Sequence, residues 1–149
     1  MANEYFKAVI RRYRLVHTKV KPDSILFLSN IDDITEHVFK ELLEHLSQRK
    51  ESSKVRVRFH PADNRSRFDV LIKKYKGNVR VEKSKEKDIV CDLVRAKSII
   101  GTETTAMTFG ALLGIRTVSV LPIGKQPSLP FVSIKRRRDA AGAIALLGL

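Results

Sequence analysis

The sequence has one cysteine, Cys91, no tryptophan, and only three tyrosines and seven phenylalanines. One cysteine excludes an intrachain disulfide, and a reducing compartment is the default expectation. No apolar run reaches the roughly 18–20 residues of a membrane span, and the apolar stretch 140–149 is too short. The N-terminus lacks the apolar core of a secretion signal. These absences together predict a cytoplasmic protein, with attachment at the inner membrane surface left open. There is no Gly-x-Gly-x-x-Gly and no Walker A sequence, which disfavours dinucleotide oxidoreductases and P-loop NTPases. No cluster of Cys, His and carboxylates has zinc spacing, so no metal is expected. His37 and His45 are eight residues apart, too far for an i, i+4 metal pair.

What the chain does have is positive charge. Lysine and arginine number 29 against 16 carboxylates, a net charge of +13 over 149 residues. Such a field favours polyanions: nucleic acid, acidic glycan, an anionic membrane surface or nucleotide phosphates. Much of it lies in residues 7–21 and 73–87. The hydrophobic share is 43%, a globular balance, and the length suits one domain.

The apolar pattern alternates between two periods. Residues 4–17 read as a basic helix with Phe6, Val9, Ile10 and Tyr13 on one side. Residues 1–22 are therefore treated as a basic N-terminal helix or extension, and 23–149 as the main domain. Short strands are expected at residues 25–28, 55–59, 79–82, 97–100, 117–121 and 131–134. Helices are expected between them. One starts near Asp33, with Glu36 completing a capping box, and carries Val38, Phe39, Leu42, Leu43 and Leu46. Others follow around Phe68 to Tyr75, from Asp88, from Glu103 to a Gly114 stop, and after residue 134. Residues 135–138, Lys-Arg-Arg-Arg, read as the exposed start of the last helix. Cys91 falls in an apolar stripe and reads as core rather than nucleophile.

Strands alternating with helices imply a parallel sheet covered on both faces. Residues 25–28 and 98–100 carry no charge and should be central. Residues 55–59 and 79–82 carry charge on one face and should lie nearer an edge. That distribution agrees with a doubly wound, Rossmann-like α/β fold of strand order 3-2-1-4-5-6, in which the first and fourth strands meet at the switch point.

Ligands of such sheets bind at the carboxyl ends of the strands beside that point. Three segments should converge there: Ser29-Asn30, His60-Pro61 and residues 101–105. Gly101 permits close approach of the backbone. Thr102 is placed to cap the next helix. Thr104 and Thr105 would put hydroxyls beside free N–H groups in its first turn, a favourable place for an anion. Glu103 would repel a phosphate if it pointed inward. A hydroxyl-rich capped loop explains the segment equally well without a ligand. His60 ends a strand, where an imidazole can hold a phosphate or protonate a leaving group. Asp32 and Asp33 are either acid–base groups or helix caps.

Residues 55–61, Val-Arg-Val-Arg-Phe-His-Pro, resemble the His-Pro motif of bacterial sialyltransferases and related surface-polysaccharide glycosyltransferases. Residues 98–106, Ser-Ile-Ile-Gly-Thr-Glu-Thr-Thr-Ala, and 111–120, Ala-Leu-Leu-Gly-Ile-Arg-Thr-Val-Ser-Val, resemble the hydroxyl-pair motif and helix of the same enzymes. The resemblance covers roughly residues 24–135. It implies the nucleotide-binding C-terminal half of a metal-independent, two-domain GT-B glycosyltransferase. It further implies that His60 contacts the donor phosphate and assists departure of the nucleotide. Thr104 and Thr105 would hydrogen-bond that phosphate, and Ser29 and Asn30 would line the cleft. No cofactor is implied beyond the substrate, a CMP-linked or UDP-linked sugar. The N-terminal acceptor domain of such enzymes, with its acidic general base, has no counterpart here, so the chain is expected to be inactive alone. The alternative is a non-catalytic basic α/β module that binds nucleic acid or acidic glycan. The sequence offers no nucleic-acid motif and few stacking aromatics for it.

Overall fold

A computed structural model describes residues 2–49, 53–121, 127 and 134–148. Six parallel strands form one sheet in the order β3-β2-β1-β4-β5-β6. They are β1 (Ser24–Leu28), β2 (Ser53–Arg58), β3 (Val79–Lys83), β4 (Ala96–Thr102), β5 (Arg116–Val120) and β6 (Lys135–Arg137). The helices are α1 (Ala2–Val16), α2 (Thr35–Ser47), α3 (Asp69–Tyr75), α4 (Ile89–Leu93), α5 (Met107–Leu113) and α6 (Ala140–Ala145). This is the Rossmann-like α/β single domain that the alternation implied. The two charge-free strands are neighbours, with Ile25 opposite Ser98 and Phe27 opposite Ile100. β1 is buried along its whole length, because helices cover both faces.

Each face has its own apolar core. On one, α2, α3 and α6 cover the sheet. The α2 stripe of Val38, Phe39, Leu42, Leu43 and Leu46 is fully buried against Phe27, Val55 and Val57. Each such side chain contributes about 1.5–3 kcal/mol relative to exposure. On the other face, α1, α4 and α5 pack over Leu26, Leu28 and Ile99. Val9 of α1 is buried there, with Phe6 and Tyr13 partly so. At Gly110 of α5, an added Cβ would stand 2.1 Å from Thr117 Oγ1 and 2.8 Å from Ile99 Cδ1. Only glycine lets this helix sit so close to β4 and β5. Gly114 ends α5 in the left-handed conformation, φ +73°, as its position suggested.

Three local expectations are corrected. The first concerns residues 135–138. Residues 135–137 form the edge strand β6 rather than a helix start, and α6 begins only at Ala140, capped by the Asp139 side chain. The expected strand at 131–134 falls mostly outside the described residues. The second concerns the cap of α2. Asp32, not Asp33, accepts the N–H groups of Ile34 and Thr35, at 3.1 and 2.8 Å. The third concerns Cys91, which is partly buried at the margin of the core rather than within it. Burial, then the carboxylates of Glu86, Asp88 and Asp92, push its thiol up, away from the reactive thiolate.

The charged strand β2 lies next to the edge, as its composition suggested, and its charges are paired. Arg56 is 2% exposed and Asp92 of α4 is fully buried. Asp92 lies 3.2 Å from Arg56 Nε and 2.8 Å from Arg58, and it accepts from the Ser84 hydroxyl at 2.7 Å. Glu82 of β3 holds the other end of Arg56 at 2.8 Å. The strand next to the edge thus buries Arg56 by pairing it, while Arg58 is paired but partly exposed.

Candidate functional site

A cleft of about 280 Å³ opens at the carboxyl ends of β1, β2 and β4. Its walls come from Ser29 and Asn30 after β1, Arg58 to Pro61 at the end of β2, and residues 103–106 after β4. The fold therefore brings together Ser29, Asn30, His60, Thr104 and Thr105 from residues that lie up to 76 positions apart in sequence. Gly101 and Thr102 lie within β4, are buried, and do not line this cleft. A Cβ on Gly101 would stand 2.6 Å from the Leu28 carbonyl oxygen. Its glycine is needed for close packing of β4 beside β1.

The β1 and β2 ends are tied to each other. Ser29 Oγ accepts the His60 backbone N–H at 2.9 Å, and the Ser29 N–H donates to the Arg58 carbonyl at 3.0 Å. Ser29 itself is buried, so its hydroxyl positions His60. The His60 Nδ1 atom accepts the Ala62 N–H at 3.1 Å. An accepting Nδ1 carries no proton, which leaves Nε2 as the N–H donor of the neutral ring.

The loop between β1 and α2 is held by two devices. Asp32 Oδ2 accepts from the Thr102 hydroxyl at 2.5 Å, and Oδ1 accepts from the Thr35 hydroxyl at 2.6 Å. Burial by itself would raise the Asp32 pKa. The bonds from Thr102 and Thr35 and from two backbone N–H groups outweigh it, and the carboxyl is held below its ordinary value. Arg67 donates to the Asn30 and Asp32 carbonyls, both at 2.8 Å, and pairs with Asp63 at 3.1 Å. Sequence reading missed Arg67. It belongs to no local pattern, and its targets are backbone atoms more than 30 positions away.

The segment after β4 differs from the sequence expectation. The helix begins at Met107, not Glu103, and Thr102 ends the strand rather than capping. The reason is tertiary: Thr102 is drawn to Asp32, and Glu103 pairs with Arg136 of β6 at 2.6 Å. Residues 104–106 then make a turn in which Met107 and Thr108 donate to the Thr104 and Thr105 carbonyls, each at 3.0 Å. The N–H groups of residues 104–106 precede the first of these bonds, as at any helix start. Thr105 is exposed at the cleft. Thr104 is 7% exposed, and its hydroxyl has no hydrogen-bond partner among the described residues, nor has Glu103 Oε2. The pairing with Arg136 compensates the charge of Glu103, which removes the repulsion a free carboxylate would exert on an anion.

Among the described residues no group of three His, Cys, Asp or Glu side chains is placed to hold a metal. No helix among them is long and apolar enough to cross a membrane. The fold and this cleft define a Rossmann-like domain with a polar pocket at its switch point. Beyond that class, no protein-family profile matches the sequence, and no curated protein sequence matches it.

Proposed function

We propose that the cleft binds the nucleotide of a nucleotide sugar, and that the domain is the donor-binding half of a GT-B-like glycosyltransferase of the sialyltransferase-like, surface-polysaccharide type. The observation that carries this reading is the convergence of His60-Pro61, Thr104-Thr105 and Ser29-Asn30 on one pocket. His60 Nε2–H and the Thr105 hydroxyl offer donors to a phosphate, and the N–H groups at the turn of residues 104–106 add more. Donating from Nε2, His60 would assist departure of the nucleotide. Ser29 holds His60 in place, and Asn30 borders the same wall. CMP-linked donors are the first choice and UDP-linked donors the second. In this architecture a second lobe supplies acceptor contacts and the general base. The 149-residue chain is therefore expected to bind nucleotide without transferring sugar.

NMR titration with CMP, UDP and cytidine tests the reading. Each charge-assisted hydrogen bond contributes about 1.5–3 kcal/mol, so CMP should bind at least tenfold more tightly than cytidine. Shifts should centre on His60, Thr104 and Thr105. Equal affinity for nucleotide and nucleoside, or shifts confined elsewhere, would remove the proposal. Robust sugar transfer by this chain alone would remove its second-lobe part.

A further inference from the structure

Helix α1 faces two ways. Val9 is buried in the core, while Lys7, Arg11 and Arg14 are exposed. Their i, i+4, i+7 spacing puts the three cations in one stripe along the helix. Residues 1–22 contain six cations, the others being Arg12, Lys19 and Lys21, against the single carboxylate Glu4. Glu4 reaches only Lys7, at 3.8 Å, with both side chains largely in solvent.

Beside the stripe stands Leu15, one turn after Arg11, and further round the helix, on the side of Val9, stands Val16. Leu15 is 66% exposed and Val16 is 37% exposed. They form one wall, with Val20, of a groove of about 380 Å³ whose other wall is Val90, Cys91 and Val94 around α4. Arg12 pairs with Asp88 across this groove and neutralises the carboxylate there. The surface thus runs from a cationic stripe, across Leu15, into an apolar groove.

We propose that this face of α1 docks the protein on an anionic lipid bilayer. Lys7, Arg11 and Arg14 would meet the headgroup phosphates, while Leu15, one turn after Arg11 on the same side of the helix, enters the boundary below them. Charge complementarity selects an anionic surface, and the exposed leucine selects a bilayer over a nucleic acid. A nucleic acid would contact the cations and leave Leu15 in water. The inference does not depend on the nucleotide reading of the cleft, whose lining residues are different ones.

Vesicle co-sedimentation of the whole chain tests it, with phosphatidylcholine vesicles alone and with phosphatidylglycerol added at about one lipid in four. At about 100 mM salt, where the Debye length is about 10 Å, the protein should partition onto the anionic vesicles and not onto the neutral ones. Each cation near such a surface contributes about fivefold, so a Lys7→Gln, Arg11→Gln, Arg14→Gln variant should bind roughly 100-fold more weakly. A Lys73→Gln, Lys76→Gln, Arg80→Gln variant loses the same charge from the α3–β3 region on the other side of the molecule. It should stay within about threefold of the parent, since long-range attraction is screened. Leu15→Ser should weaken binding in a part that salt does not change. These are surface substitutions, and circular dichroism verifies that each variant is folded. Equal losses in both triple variants would overturn the proposal, as would binding to neutral vesicles. It would also fall if Leu15→Ser had no effect, or if single-stranded DNA bound more tightly than the anionic vesicles at the same salt.

Discussion

Two polar clusters lie within this domain, one around a buried carboxylate and one at the switch point, and they are built differently. Around β2 and α4, Arg56, Arg58, Asp92, Glu82 and Ser84 answer one another at 2.7–3.2 Å. At the switch point, Thr104 Oγ1 and Glu103 Oε2 are shut off from water with no hydrogen-bond partner among the described residues. A buried polar group left unpaired costs about 1–3 kcal/mol. The first cluster is held mainly by ion pairs, although Arg56 Nε, 3.2 Å from Asp92, makes no hydrogen bond; in the second a hydroxyl and one carboxylate oxygen are left over.

The largest effect should come from breaking the paired cluster. Asp92→Ala leaves two arginines of β2 without their shared carboxylate and should destabilise the protein by about 3–5 kcal/mol. Urea denaturation would measure it. A loss under 1 kcal/mol would mean that the cluster is incidental to the fold.

Next in size is Asp32, which belongs to the switch-point region and ties the β1–α2 loop to Thr102. Its pKa in the folded chain lies below the ordinary 3.8. Its stabilisation is thus complete above that value and is lost as pH falls through the lowered folded value. Asp32→Asn should cost about 1–3 kcal/mol at pH 7. It should also flatten the acid limb of stability measured below about pH 4. A parent and variant with the same slope in that range would contradict this.

The smallest effect on stability, and the sharpest contrast, belongs to Thr104→Val. The methyl replaces a hydroxyl that bonds to nothing, so stability should stay the same or rise by up to about 1 kcal/mol. If the cleft holds a phosphate, CMP affinity should nevertheless fall about tenfold or more. Thermal unfolding and the nucleotide titration, run on the same variant, read the two halves. A destabilised variant with unchanged affinity would reverse the assignment of the two clusters.

Much of the fold was legible in local composition. Charge-free residues at 25–28 and 98–100 belong only in strands covered on both faces, and they are the central pair. The α2 stripe and the Gly114 stop follow from helical period and from glycine's access to positive φ. Charge guided only in part where distant partners intervened. Arg56 and Arg58 marked β2 as lying near an edge, which it does, but their partner Asp92 lies more than 30 residues away, beyond any local window. Residues 135–137 read as a helix start because three cations resemble a surface run. They form an edge strand because β5 offers them a hydrogen-bonding partner. Residues 29, 30, 60, 104 and 105 were foreseen to converge, since strand order dictates which loops share an end of the sheet. Which hydroxyls would be spent on structure was not foreseeable. Ser29 is engaged by the backbone of His60 and Thr102 by Asp32, whereas Thr104 is left over. The sequence by itself therefore determined the periodicity, the central strands and the set of loops that meet, because these depend on neighbours within a few residues. Only the tertiary structure decided which polar groups are paired, because each partner arrives from another strand or helix.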